Sequence, residues 1–266
     1  MVRINFIFKI LINLLILSIV IFAFYDYINY KHHYNEKSKN IVEQTVNDIL
    51  KLNSNLRTQI SHLMIENQDV LIKLYNDPED IQLIEQLKTT FKKQLPSFYT
   101  FTLADQHGNL VTDVFFEKVG RLCRQDIKQY ALHESNTWLT IHPGMEQYHF
   151  DIIVPLHFGD TKQIMFISFY IDGLVNILKQ NDRPSHELFI VRKDKNNLIE
   201  LSSSGSRADQ NNAFFLTDKQ LQGYSSNIAG TYWTVIELPS TSFFKYYLHD
   251  TLYNRIANFS LKDVFQ

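Results

Sequence analysis

The sequence predicts an α+β protein held to a membrane by its N-terminus: a transmembrane helix and a further long helical stretch, followed by antiparallel sheets. Three observations lead there. Ile4 to Tyr25 is almost unbroken hydrocarbon, and about 20 apolar residues match a bilayer core because a helix rises roughly 1.5 Å per residue. Ser38 to Tyr75 contains neither Gly nor Pro and carries apolar residues at alternating steps of four and three. Beyond Pro96 the helical period gives way to period-two alternation broken by short polar turns.

Arg3, Lys9 and the free amine lie at or before the apolar run, and a short positive flank stays in the cytoplasm. The expected topology is therefore single-pass in a bacterial inner membrane, N-terminus cytoplasmic and main body periplasmic. Phe22 to Tyr27 offers no small-x-small cleavage site, and Tyr25, Tyr27 and Tyr30 resemble an interfacial belt, so the segment reads as an uncleaved anchor. The single cysteine, Cys123, cannot form an internal disulfide, which suits a bacterial periplasm better than a stapled secreted module. A formal net charge of -2 with no basic stripe argues against a nucleic-acid partner.

The helical stretch follows Val42, Val46, Ile49, Asn53, Leu56, Ile60, Leu63, Asn67, Val70 and Leu74. That pattern is either a homodimer seam, with Asn53 and Asn67 setting register, or a stripe packed on the chain's own domain. A second helix starts at the cap Asp77-Pro78-Glu79-Asp80 and stops before Pro96. Strands follow at Phe98–Ala104 and Leu110–Phe115 around the turn Asp105-Gln106-His107-Gly108-Asn109. Next come a helix at Arg124–His133, strands at Thr137–His142, Gln147–Phe158 and Gln163–Tyr170, and a helix at Asp172–Gln180. A second alternating block, His186–Arg192, Leu198–Ser202, Tyr224–Ala229 and Thr231–Leu238, surrounds a polar loop from Ser202 to Asn212. An amphipathic helix from Ser240 to Gln266 closes the chain. This divides it into an anchor (1–30), a long helical region (31–95), a first lobe (96–182), a smaller second one (183–239) and a C-terminal helix (240–266), with one or two sheet lobes open.

Gly-rich phosphate loops, nucleophile elbows, His-Glu-x-x-His pairs and Cys-x-x-Cys are all absent, so no catalytic residue and no cofactor is assigned. The densest polar cluster in an apolar setting runs from Trp138 to Asp151. With a turn at Pro143 to Glu146, His142 pairs with Gln147, Thr140 with His149 and Trp138 with Asp151 on one face, while Leu139, Ile141, Tyr148, Phe150 and Ile152 form the core face. Three readings compete for the polar face. It is a solvated hairpin surface by default; or Trp138, Thr140, His142, His149 and Asp151 bind a small polar ligand; or His142, His149 and Asp151 hold a metal. Cys123, between Arg121 and Arg124, is a buried structural thiol by default, and Arg192, Glu200 and Arg207 are surface charges by default.

Asp105-x-x-Gly108, Val119-Gly120-x-x-Cys123-x-x-Asp126-Ile127, Ile141-His142-Pro143 with Tyr148-His149-Phe150-Asp151, Leu198-Ile199-Glu200 with Gly205-x-Arg207, and Ile228-x-Gly230-Thr231-x-Trp233 keep this order over more than half the chain. Together they resemble the exported Cache or PAS-like sensor regions that precede diguanylate cyclase (GGDEF) domains in bacterial membrane proteins. The resemblance implies a long membrane-proximal helix, one or two PAS-like lobes, a small-molecule ligand and a signal passed inward. No Gly-Gly-Asp-Glu-Phe, Glu-Ala-Leu or kinase sequence is present, so the chain reads as a receptor head without its effector: a fragment, a decayed gene product, or a subunit that acts through a separate output protein. The function expected is a non-enzymatic sensory protein, dimeric through the 38–75 helix; the alternative is a membrane-tethered scaffold or envelope-complex subunit.

Overall fold

Helix α1 runs from Val2 to Glu66, 65 residues, or about 100 Å at the rise of an α-helix. That length spans a hydrocarbon layer of about 30 Å and leaves roughly two-thirds outside it. From residue 8 to residue 25 every side chain is exposed, and this end is long and apolar enough to cross a membrane. The computed structural model describes residues 2–112, 119–133, 141–143, 148–158, 161–184, 186–206, 215–218, 220–222 and 224–239. Trp138, Thr140, Arg207, the end of the expected strand after Leu110 and the expected 240–266 helix lie outside the described residues.

The far half of α1 turns its stripe inward. Val42, Val46, Ile49, Leu56, Ile60 and Leu63 are buried. At Asn67 the helix passes into α2 (Gln68–Asn76), where Leu71 and Leu74 continue the stripe. These residues share one apolar core with the sheets. Of the two sequence readings, packing of the stripe on its own domain is observed for these residues; the homodimer expected through the 38–75 helix remains an expectation. Both asparagines are also engaged locally: Asn53 Oδ1 accepts from Arg57 Nε at 3.2 Å, and Asn67 Nδ2 donates to the Leu63 carbonyl at 2.8 Å.

Helix α3 (Ile81–Gln94) begins at Asp80, whose carboxylate accepts from the backbone N–H groups of Gln82 and Leu83, satisfying donors that the first helical turn leaves open. Its Phe91 meets Phe98 and Phe101 edge-on, at centroid distances of 5.8 and 5.1 Å, and so packs α3 against β1 (Phe98–Ala104). Helix α4 (Arg121–His133) buries Cys123, Ile127 and Tyr130. The first sheet adds β2 (Ile141–Pro143), β3 (Tyr148–Phe158) and β4 (Thr161–Tyr170), in the antiparallel order β1-β4-β3-β2, with α4 packed on β3 and β4.

The turn after β1 seats α4. Asp105 Oδ1 accepts from the backbone N–H groups of His107 and Asn109, and Gly108 has φ +77°. A Cβ on Gly108 would lie 2.8 Å from Lys128 Cα, so this turn and α4 fit only because that position has no side chain.

Helix α5 (Asp172–Asn181) leads to β5 (His186–Arg192), β6 (Leu198–Ser202), β7 (Gly205–Ser206), β8 (Ser225–Asn227) and β9 (Trp233–Pro239). They form a second antiparallel sheet in the order β7-β6-β5-β9-β8. The whole is the expected α+β arrangement of a long N-terminal helix followed by antiparallel sheets, here two. Arg192 and Glu200, expected as surface charges, are buried instead. Arg192 is held by Asp194 at 2.6 and 3.0 Å.

Polar contacts fasten α1 to both sheets. Arg57 Nη1 donates to the Ile153 carbonyl of the first sheet at 3.2 Å. Near the second sheet, Arg183 forks onto Glu237 at 2.7 and 3.0 Å, donates to Ser38 Oγ at 2.8 Å and covers the Tyr34 ring at 4.5 Å. The Tyr34 hydroxyl lies 2.8 Å from His186 Nε2.

Candidate functional site

The polar face of β2 and β3 is buried rather than solvated. Exposures of 6% for His142, 1% for His149 and 2% for Asp151 overturn the solvated-hairpin reading, and the physical reason is α4 lying across that face. The other face of the hairpin is core, as expected: Ile141, Phe150 and Ile152 are buried.

The hairpin register differs from the expected one. His142 is opposite His149, Ile141 opposite Phe150 and Pro143 opposite Tyr148, two residues away from the His142 to Gln147 pairing. A slip of two preserves which side chains share a face, whereas a slip of one would exchange the faces. His142, His149 and Asp151 therefore still converge. Trp138 and Thr140, the other two expected ligand-binding residues, lie outside the described residues.

The cluster is built across five elements, α4 and all four strands of the first sheet. Asp151 is opposite Ser168 on β4, and the Ser168 hydroxyl donates to Asp151 Oδ1 at 2.7 Å. His142 Nε2 lies 2.9 Å from Asp126 Oδ2 on α4 and 3.2 Å from Asp151 Oδ2. One Nε2 proton cannot serve both carboxylates, and among the described residues Asp151 Oδ2 is a buried oxygen without a hydrogen bond. His149 Nε2 lies 3.4 Å from Cys123 Sγ and 3.8 Å from Asp151 Oδ1, with its ring stacked on Tyr99 at 5.3 Å.

Burial pushes the Asp151 carboxyl above the usual carboxylate range, although His142, His149 and the Ser168 hydroxyl pull it back. Burial by itself lowers the pKa of His142, but the hydrogen bond to Asp126 and the charges of Asp151, Asp126 and Glu200 outweigh it, so the imidazole holds its proton more tightly than usual. The Cys123 thiol is driven well up, first by burial and then by the Asp151 charge. It is a buried, protonated thiol, as its default reading expected, and not one activated by Arg121 and Arg124.

Sequence reasoning missed the partners of this cluster: Asp126, Ser168, Tyr99 and the contact of Cys123 with His149. The available signal was the spacing Cys123, Asp126, Ile127, Tyr130, which places the thiol and the carboxylate beside the buried stripe of one helix. Ser168 and Tyr99 left no such signal, because cross-strand neighbours depend on a strand order that local pattern does not contain. A separate hollow of about 580 Å³, lined by residues including Val119, Arg121, Arg124 and Lys128, contains none of the cluster's side chains.

No family model matches this sequence, and no curated protein does. Several solved structures are similar in arrangement. The LuxQ periplasmic domain of Vibrio cholerae is 12% identical, with 77% of this chain and 97% of that one covered and a TM-score of 0.46. The sensor domain of the V. cholerae histidine kinase DctB is 10% identical over 74% and 97%, with a TM-score of 0.43. The ligand-binding domain of Mlp24 with asparagine is 14% identical over 76% and 95%, with a TM-score of 0.38. With TM-scores below 0.5, none of these likenesses identifies this chain's ligand.

Proposed function

We propose that this protein is a membrane-anchored extracytoplasmic sensor of the Cache type, whose ligand site is the buried polar face of β2 and β3 beneath α4. The observation that carries this reading is the Asp151 carboxylate, 2% exposed and with one oxygen lacking a hydrogen bond among the described residues. Its nearest cation is His142 Nε2 at 3.2 Å, which Asp126 also engages, and a buried carboxylate oxygen short of hydrogen bonds is costly. Stability alone gives no reason to retain it, whereas recognition of a ligand does. His142 and His149 orient the ligand, with Trp138 and Thr140 on the adjoining segment.

Output follows from α1. The helix that is buttoned to the first sheet by Arg57 and to the second by Ser38 and Tyr34 continues into the apolar segment. A ligand that prefers one seating of α4 on the sheet biases the position of α1, provided it binds the two arrangements unequally. The signal then reaches a cytoplasmic partner, of the cyclase kind implied by the sequence resemblance.

Two measurements on the full chain in membranes test this. A reporter fused after residue 266 should be active outside the cytoplasm and silent within it; the opposite pattern refutes the topology. Hydrogen exchange in the presence of free amino acids, small dicarboxylates or divalent metal ions should show one probe class protecting α4 and β3 together with α1 around residues 34–48. Protection at the sheet that leaves α1 unchanged refutes signalling.

A further inference from the structure

The geometry points to a divalent transition-metal ion, of the zinc type, as the ligand of this site, held by Cys123, His142 and Asp151 with His149 completing the shell. The inference rests on the preceding reading of where the site lies, and it narrows the ligand from a small polar species to a thiophilic cation.

Three observations support it. The donor atoms of Cys123, His142 and Asp151 all lie within 4.8 Å of one another, and all three residues are buried. His149 Nε2 adds a fourth donor near two of them, 3.4 Å from the sulfur and 3.8 Å from Asp151 Oδ1. In a tetrahedral zinc site, bonds of about 2.0–2.3 Å put neighbouring N and O donors about 3.3 Å apart and S and N donors about 3.6 Å apart. The observed 3.2 Å between His142 Nε2 and Asp151 Oδ2 and the two His149 distances are already close to those edges.

Charge balance favours a dication. The Cys123 thiolate and the Asp151 carboxylate match a 2+ ion, and the Asp126 carboxylate 2.9 Å from His142 Nε2 is a further negative group beside it, so a dication lowers the penalty of buried negative charge. On binding, the Cys123 S–H bond breaks, a metal–sulfur bond forms and the proton leaves to solvent. His142 also releases its Nε2 proton to solvent and gives that lone pair to the ion, keeping a proton on Nδ1, and Asp151 Oδ2 exchanges its 3.2 Å contact with His142 for a bond to the ion. Mixed thiolate, imidazole and carboxylate donors select zinc-like ions over magnesium or calcium, which take oxygen shells.

The test uses the full chain in detergent, stripped with chelator and titrated with Co²⁺, a spectroscopic stand-in for zinc. The expected result is one ion per chain with a sulfur-to-cobalt charge-transfer band, displaced by Zn²⁺ and not by Mg²⁺. Cys123 is the chain's only cysteine, so the band assigns the ligand without a variant. Asp151→Asn should weaken binding by about 10- to 100-fold or more, with circular dichroism confirming the fold. Absence of the band, or cobalt bound equally by Cys123→Ser, overturns the inference. If cobalt fails while an amino acid or dicarboxylate protects α4 and α1 from exchange, the metal falls and the sensor reading stands. A charge-transfer band with no response in α1 supports the metal site and removes the sensor.

Discussion

Replacing Arg183 by methionine should unfasten α1 from the second sheet at a cost of about 4 kcal/mol. The Glu237 side chain is 0% exposed and that of Arg183 only 9% exposed, so the pair is buried and solvent screening contributes little. Removing one partner of such a pair costs about 3–5 kcal/mol, because the other charge is left buried without compensation. Loss of the cation–π contact with Tyr34 adds about 1 kcal/mol, and the hydrogen bond to Ser38 a similar amount. These contributions share one network and do not simply add. The assay is denaturant unfolding of the full chain in detergent, followed by tryptophan emission. The pair Arg183→Met with Glu237→Met should recover most of the loss, since well-packed apolar replacements of a buried ion pair are often neutral or better. A cost below about 1 kcal/mol for Arg183→Met, or a double variant as unstable as the single one, would refute the claim that this junction is held by a desolvated ion pair.

Two further outcomes follow from the same structure. Gly108→Ala should destabilise the fold by about 1–3 kcal/mol, because the new Cβ meets Lys128 Cα at 2.8 Å at a positive φ; thermal melting within error of wild type would show that α4 does not dock on this turn. His186 is held below the ordinary histidine pKa, first by burial and then by the nearby Arg183 charge, against the raising effects of its Pro184 contact, Glu237 and Asp182. Its neutral ring therefore contributes stability above the unfolded pKa of about 6.5, and that contribution is lost as pH falls through the lowered folded value. His186→Gln should reduce the fall in melting temperature between about pH 7.5 and about pH 5.5; an unchanged slope would exclude His186 as its source.

The elements that could be read from the sequence were those specified by nearest neighbours. The apolar run from Ile4, the stripe from Val42, the Asp80 cap and the alternation of β1, β3 and β4 each require only a local period or a capping side chain. The site was partly legible for the same reason: two-residue alternation puts His142, His149 and Asp151 on one face whatever the exact register. What had no local signature was the cover on that face. Nothing between Trp138 and Asp151 announces that α4 will lie across it. The default of a solvated hairpin was therefore wrong, and Asp126, Cys123 and Ser168 were not seen as its neighbours. Arg192 and Glu200 were misplaced for a related reason, since a charged residue in a short strand looks exposed until its neighbours in the sheet are known.

The sequence by itself determined that this protein has a membrane-length apolar helix, a long amphipathic continuation and antiparallel strands, because those properties are periods along the chain. Only the tertiary structure decided where the amphipathic stripe goes, and its buried residues pack onto the chain's own sheets. Only the structure, too, buried the face that carries His142, His149 and Asp151 and brought Cys123 and Asp126 of α4 onto it. Period sets which way a side chain points on its own element; burial and partnership depend on which other element arrives to face it.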